Sequence, residues 1–179
     1  MMKALLTLAF VVMATTMSAY TLKVQGVVTD YYTHEPLSGV LVRIYKNGEK
    51  ISAENTGTFG RYAAKLENNA HYVIRFSGPG LVTKSFTVDT HGLVWEGEQA
   101  QKSVIVEMTM MEKLSGVDLT VFDLPMGQAH FEPATGYISW NTAYDKNIRP
   151  EVEAALSRYA QRLNEIAVLD RPQGVARIN

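Results

Sequence analysis

The sequence contains no cysteine, and this absence removes several kinds of chemistry at once. Without thiols, the chain forms no disulfide bond, carries no cysteine nucleophile and offers no thiolate to a metal ion. Neither sign of charge dominates, because 17 lysines and arginines stand against 18 aspartates and glutamates. Such a balance gives no electrostatic reason to expect nucleic acid or an anionic membrane as a partner.

Apolar runs long enough to cross a membrane are also missing. The N-terminal candidate covers residues 4–13, after Lys3 and before a short polar stretch that ends at Ala19. A spanning helix needs about 20 apolar residues, whereas a shorter apolar core behind a positive charge is typical of a signal peptide. We therefore predict a Sec signal peptide over residues 1–19 that is cleaved before Tyr20. Because no cysteine follows for lipid attachment, we expect a periplasmic or secreted protein rather than a lipoprotein.

Recognisable catalytic and metal-binding motifs are lacking as well. No serine lies in a G-x-S-x-G turn, and the carboxylates show no paired arrangement suited to general acid and base catalysis. The histidines are far apart in sequence and form no ligand pair at helical spacing. They are His34, His71, His91 and His130. We therefore predict no catalytic residue, no metal site and no cofactor, and we expect that the protein is not an enzyme.

Alternating apolar and polar side chains indicate strands in the first two thirds of the chain. This period of two residues is typical of a strand with one buried and one solvated face. Strand-like runs, separated by turn residues, cover residues 21–29, 40–45, 49–55, 62–66, 72–76, 81–88 and 103–110. Seven short strands without an intervening helical period predict an all-β sandwich.

Two glycine positions predict local geometry within these strands. Asn47-Gly48 is a strong signal for a two-residue hairpin turn, because both central positions of that turn need positive φ. Gly26 interrupts the first alternating run, which indicates a bulge or the close approach of another backbone. The return strand over residues 49–55 is polar, and we expect it at the edge of its sheet.

Five short motifs follow one another in a recognisable order. They are V-x-G-V-V-x-D from Val24 to Asp30, E-P-L-S-G-V-x-V-x-I from Glu35 to Ile44, Asn47-Gly48, T-x-x-x-G-x-Y from Thr56 to Tyr62, and Y-x-I-x-F from Tyr72 to Phe76. Together they resemble the carboxypeptidase regulatory-like domain over about residues 22–111. The resemblance implies a seven-stranded, transthyretin-like β-sandwich that is abundant in exported proteins of Bacteroidota. It also implies an accessory or structural unit, because most members of this family have no catalytic role.

The second part of the chain, over residues 112–169, is predicted to be an extension of the sandwich. A turn at residues 132–136, between Phe131 and Tyr137, predicts a small β-hairpin. The domain organisation that we predict is a signal peptide (1–19), a sandwich (20–111), the extension (112–169) and a flexible tail (170–179).

A C-terminal amphipathic helix is predicted over residues 150–167. We expect Asp145 or Asn147 to cap it and Pro150 to lie in its first turn. One apolar stripe runs along it through Val152, Leu156, Tyr159, Leu163 and Ile166. Such a stripe is expected to dock on the chain's own sheet, and docking on a partner is the alternative.

Three aromatic residues in predicted loops are candidates for contact with a partner or ligand: Tyr31, Tyr32 and Trp95. Tryptophan is enriched where binding energy is concentrated, and tyrosine rings can stack on a sugar. Packing against the sandwich is the alternative for all three. We predict a non-catalytic structural or protein-interaction module with another cell-envelope protein as partner. The alternative prediction is a small-ligand binder for a glycan or a peptide.

Overall fold

Two β-sheets form the fold, and a computed structural model describes them within residues 21–92, 103–132 and 134–169. The predicted signal peptide, Trp95 and the predicted tail over residues 170–179 lie outside the described residues. The strands are β1 (Thr21–Asp30), β2 (Leu41–Lys46), β3 (Glu49–Asn55), β4 (Arg61–Glu67), β5 (His71–Ser77), β6 (Lys84–Asp89), β7 (Ser103–Ile105), β8 (Met108–Met110), β9 (Gln128–Glu132) and β10 (Tyr137–Trp140). A 3₁₀ helix covers Thr120–Asp123, and the helix α1 covers Thr142–Leu169.

The predicted β-sandwich is confirmed. In the smaller sheet, β1 pairs with β4 on one side and with β7 and β8 on the other. The larger sheet has the order β10-β9-β6-β5-β2-β3. Alternate side chains from the two sheets meet in one buried cluster, which includes Leu22 and Val24 from β1 and Ile74 and Phe76 from β5. This interleaving is why the period of two in the sequence reports the fold so directly.

The run predicted as one seventh strand is divided in two. β7 and β8 both lie parallel to β1, and the ladder is interrupted at Val106. There the Val106 N–H donates to the Gln25 carbonyl at 2.9 Å, and Tyr62 Oη donates to the Val106 carbonyl at 2.6 Å. A Cβ on Gly26 would lie only 1.9 Å from the Val106 oxygen. The close backbone approach predicted at Gly26 is therefore confirmed, and glycine is required there.

The predicted hairpin turn and edge strand are also confirmed. Asn47 has a φ of 51° and Gly48 a φ of 87°, as a turn with two left-handed positions requires. Their turn joins β2 to β3, and β3 is the last strand of the larger sheet. The pairing of β3 with β2 shifts register between Ile44 and Tyr45, so Ile51 is an extra residue on β3. A bulge of this kind twists an edge and shortens its regular part.

The extension beyond residue 111 adds strands to the larger sheet. β9 and β10 form the predicted hairpin, whose turn is closed by the Gly136 N–H donating to the Glu132 carbonyl at 2.9 Å. β9 also pairs in parallel with β6, and its residues Ala129 and Phe131 enter the main buried cluster. The hairpin is therefore continuous with the sandwich.

The C-terminal helix is confirmed, but its start was predicted wrongly. α1 begins at Thr142, and the side chain of Asn141 accepts a hydrogen bond from the Tyr144 N–H at 3.0 Å. Asn141 is therefore the cap instead of Asp145 or Asn147. Pro150 lies inside the helix and not in its first turn. The prediction failed because proline is common in the first turn of a helix. Pro150 therefore indicated a start nine positions after the actual cap, Asn141.

The apolar stripe of α1 docks within the same chain. A second buried cluster joins Ala155 and Tyr159 of α1 to Val82, Met111 and Phe122. The stripe residues Val152, Leu156 and Leu163 pack against it. The helix therefore covers Val82, just before β6, and part of the segment between β8 and β9. Within the described part of the chain, no helix has the length and apolar character needed to cross a membrane.

Candidate functional site

The predicted tyrosine pair lies against the C-terminal helix. The rings of Tyr31 and Tyr32 meet edge to face at 5.7 Å, and each ring centre is 6.5 Å from that of Tyr159. Tyr31 packs against the second cluster, whereas Tyr32 is 56% exposed. The structure thus gives Tyr31 a packing role and leaves one face of Tyr32 open. Trp95 lies outside the described residues.

Asp30 holds the turn that carries the two tyrosines. Its Oδ1 accepts hydrogen bonds from the N–H groups of Thr33 and Tyr32, at 2.9 and 2.8 Å. The hydrogen bond from the Thr33 N–H is the main reason why the pKa of Asp30 lies below its usual value. A carboxylate bound in this way stabilises its loop, because its oxygen accepts hydrogen bonds from backbone N–H groups of the same turn.

A groove of about 570 Å³ opens between the two sheets beside β3, and we call it the edge groove. Val42 and Ile44 of β2, which are buried core residues, form part of its floor. Glu54 of β3 and Arg61 of β4 line it with opposite charges. Ile105 of β7 also lines it and is 74% exposed. The groove thus combines apolar floor and rim with charges of both signs.

Among the described residues, no strand pairs with the backbone of β3 on the side away from β2. Thr56, just after β3, donates its N–H to the Val40 carbonyl at 2.9 Å. Neighbouring residues of a strand point their backbone groups in opposite directions, so the N–H groups of Ala53 and Asn55 face away from β2. In the described part of the larger sheet, no strand follows β3 on that side. These groups are available to a further strand.

A second depression, of about 460 Å³, lies where the sandwich, the hairpin and α1 meet. Its floor consists of three lining residues that are nearly inaccessible to solvent: Lys84 and Phe86 of β6 and Met108 of β8. Trp140 of β10, which is 45% exposed, forms part of the wall. We call this depression the Lys84 cleft.

Lys84 is a lysine placed where lysine is rarely found. It is only 4% exposed, and its Nζ donates to the Thr109 carbonyl at 2.8 Å. The ammonium also lies 4.8 Å from the centre of the Phe122 ring. Burial lowers the pKa of Lys84 to about 8, because removal from water disfavours the charged form. A buried titratable group in a cleft is a recognised mark of a functional site.

Lys84 was not among the site residues predicted from the sequence. It lies in the run predicted as the sixth strand, where a lysine is expected on the solvated face. The structure shows that Lys84 and Phe86 share the inward face of β6, in register with Phe76 and Ile74 of β5. The signal that could have found it is the phase of the strand: Phe86 and Val88 alternate inward, and the same phase places Lys84 inside.

The histidines and carboxylates do not assemble a metal centre in the part of the chain that the structure describes. His91 Nδ1 lies 2.6 Å from Asp89 Oδ1, which is a contact between neighbours in sequence. Across residues 21–92, 103–132 and 134–169, no group of three histidine, aspartate or glutamate side chains could hold a metal ion.

Comparisons with known proteins give limited similarity. No protein-family model matches the chain, and no curated protein matches it. Among solved structures, 3-chlorocatechol 1,2-dioxygenase from Rhodococcus opacus 1CP matches at 14% identity, with a TM-score of 0.39, over 54% of this chain and 61% of that one. A mutant catechol 1,2-dioxygenase from Acinetobacter radioresistens matches at 13% identity, with a TM-score of 0.41, over 56% and 55% of the two chains. The major pilin SpaD from Corynebacterium diphtheriae matches at 11% identity, with a TM-score of 0.39, over 54% and 32%.

These comparisons correct the prediction that the protein is not an enzyme, because several of the similar structures are dioxygenases. That negative prediction is withdrawn. The likeness covers about half of the chain at TM-scores near 0.4, and it assigns no reaction to this protein.

Proposed function

We propose that the protein is an interaction module of the cell envelope or of the secreted fraction, and that it binds an extended segment of another polypeptide along β3. The observation that carries this proposal is the free backbone of β3 beside the edge groove. An extended segment would continue the larger sheet through main-chain hydrogen bonds, while its side chains would enter the groove.

The features of the edge groove suggest the character of the bound segment. Ile105 offers an exposed apolar surface, and Glu54 and Arg61 offer one charge of each sign. The bulge at Ile51 limits the regular free edge to the second half of β3. A short segment of a few residues, with apolar and charged side chains alternating, fits these limits.

The cellular setting is part of the same proposal. The order of motifs from Val24 to Phe76 supports membership of the carboxypeptidase regulatory-like domains of exported Bacteroidota proteins. The predicted signal peptide supports export, and the mass of the mature protein tests it. A mature chain that begins at Tyr20 is the expected result, and a protein that keeps residues 1–19 after export would contradict the predicted cleavage.

Strand addition is tested by removing one free donor of β3. We expect Ala53→Pro to abolish partner binding without unfolding the protein, because the lost N–H faces away from β2. Ala53→Val is the matched control, since it keeps the N–H and favours a strand. A photo-crosslinking amino acid at Ile105 would report binding in cells. The same amino acid at Tyr137 of β10, at the edge of the larger sheet opposite β3, would report background.

The expected result is a discrete adduct from position 105 that Ala53→Pro removes and Ala53→Val retains. Equal adducts from positions 105 and 137, or an adduct that survives Ala53→Pro in a folded protein, would contradict strand addition.

A second candidate function is the binding of a glycan or peptide by Tyr31, Tyr32 and Trp95. The exposed face of Tyr32 beside Tyr159 favours it, because a sugar ring can stack on such a face. A glycan array with the wild-type protein and Tyr32→Ala tests this function. Binding that is unchanged by Tyr32→Ala would remove Tyr32 from the site.

A further inference from the structure

The charge of Lys84 has no acidic partner among the described residues. Its side chain is almost inaccessible, and its described hydrogen bond goes to the neutral carbonyl of Thr109. The ion pairs found within the described ranges involve other basic side chains. A buried ammonium without a counter-ion is unfavourable, and a neutral carbonyl and the face of Phe122 compensate it only in part. An anion that reached this group would therefore gain a strong interaction.

The Lys84 cleft offers that anion an apolar enclosure. Phe86 and Met108 lie at the floor, and Met126 and Trp140 line the walls. The ring of Trp140 lies 6.1 Å from that of Phe86, centre to centre. These two rings are already in edge contact, so a flat apolar group would lie on the exposed part of Trp140 while its charged end approached Lys84.

The beginning of α1 contributes to the same cleft. Asn141 and Thr142 line it, and the N-terminal end of a helix carries a partial positive charge. This partial charge adds to the positive charge of Lys84, which provides the main attraction for an anion.

Two acidic residues restrict the charge of the ligand. Glu107 and Asp145 also line the cleft, and Asp145 is paired with Arg149 on the next turn of α1. A second negative charge on the ligand would approach these carboxylates and be repelled. The arrangement therefore favours one anionic group over two and disfavours a polyanion.

From these observations we propose that the Lys84 cleft binds a small apolar monocarboxylic acid, with the carboxylate on Lys84 and the apolar part against Trp140. This site is separate from the edge groove, so either proposal can fail without the other.

Calorimetric titration with a matched pair of probes tests the proposal. 4-Phenylbutyrate carries the carboxylate, and 4-phenylbutanamide has nearly the same shape without the charge. We expect the acid to bind at least about tenfold more tightly than the amide. Benzylsuccinate, which carries two carboxylates, is expected to bind more weakly than 4-phenylbutyrate. In NMR spectra, the acid should shift the signals of Thr109 and of the Trp140 indole.

Variants locate the effect. Lys84→Met keeps the length of the side chain and is expected to abolish the preference for the acid, whereas Lys46→Met, at an exposed ion pair, should retain it. Trp140→Leu changes the wall without removing the ammonium, and it should weaken the acid and the amide equally. This variant keeps the test decisive if Lys84→Met does not fold.

The proposal would be overturned by equal affinity for the acid and the amide, by absence of binding at millimolar concentrations, or by shifts that map outside the Lys84 cleft. Retention of the preference by a folded Lys84→Met protein would also overturn it.

Discussion

The ammonium group of Lys84 lies 4.8 Å from the centre of the Phe122 ring, at the junction of the two buried clusters. Phe122 belongs to the cluster under α1, and Phe86, on the same strand face as Lys84, belongs to the inter-sheet core. The two clusters thus meet at a charged side chain. We expect this position to make the stability of the fold depend on the protonation of Lys84.

Lys84 should give the protein a specific dependence of stability on pH. Its pKa is about 8 in the folded protein, below the value of 10.5 that the unfolded chain keeps. Between these two pH values the unfolded state binds more protons, so the free energy of unfolding rises with pH. Relative to Lys84→Met, we expect the wild type to gain up to about 3 kcal/mol over this range.

Urea unfolding of both proteins at a series of pH values measures this gain. The comparison with Lys84→Met removes the contributions of the other titrating groups. A difference between the two proteins that stayed constant from pH 8 to pH 10.5 would show that Lys84 keeps its ordinary pKa.

Gly26→Ala should destabilise the sandwich strongly. The new methyl group would lie 1.9 Å from the Val106 carbonyl oxygen, and that oxygen belongs to a backbone that cannot rotate away. We expect a loss of about 1–3 kcal/mol or more in thermal or urea unfolding. Gly57→Ala is the control, because no atom lies within 4 Å of a Cβ at that position. Equal losses in the two variants would show that the close contact at Gly26 is not the cause.

Asn141→Ala should remove the cap of α1. The Tyr144 N–H would lose its acceptor, and we expect a loss of about 1 kcal/mol in the free energy of unfolding. Asn147→Ala is the matched control, because Asn147 is exposed and lies inside the helix. Substitution by alanine there should be neutral or slightly stabilising. A larger loss from Asn147→Ala than from Asn141→Ala would place the start of the helix near the position predicted from sequence.

Deleting residues 112–179 should prevent the sandwich from folding stably. The deletion removes Ala129 and Phe131 from the main cluster and leaves β6 without its neighbour β9. An exposed strand edge with apolar neighbours promotes aggregation, so we expect the shortened protein to be insoluble or loosely packed. Deleting only residues 170–179 is the control and should leave the unfolding transition unchanged. A cooperative transition of wild-type midpoint in the first deletion would show that the sandwich is independent of the extension.

The sequence predicted most strands because burial in a sandwich imposes a period of two on each of them. Leu22 and Val24, or Ile74 and Phe76, reveal this period without any knowledge of their neighbours. The Asn47-Gly48 turn was predictable for a similar reason, since its backbone angles restrict the residue type locally.

The features that were missed depend on partners distant in sequence. The interruption at Val106 arises from its contact with Gly26, and the pairing of β9 with β6 depends on the larger sheet having a free edge there. Lys84 is the clearest example in the candidate site. Its identity suggests a solvated face, and only the inward phase of Phe86 and Val88 places it inside.

The parallel pairing of β1 also determines when the fold can form during synthesis. Gln25 and Ser103, whose side chains are hydrogen-bonded, are 78 residues apart in sequence. The first strand of the sandwich therefore waits for β7 and β8, the last strands before the extension, and such distant pairing is slow. A newly made chain spends this interval with β1 unpaired on one side. The delay keeps the smaller sheet open until residue 110 has been translated, and during this interval the open edge of β1 is a place where two unfinished chains can pair.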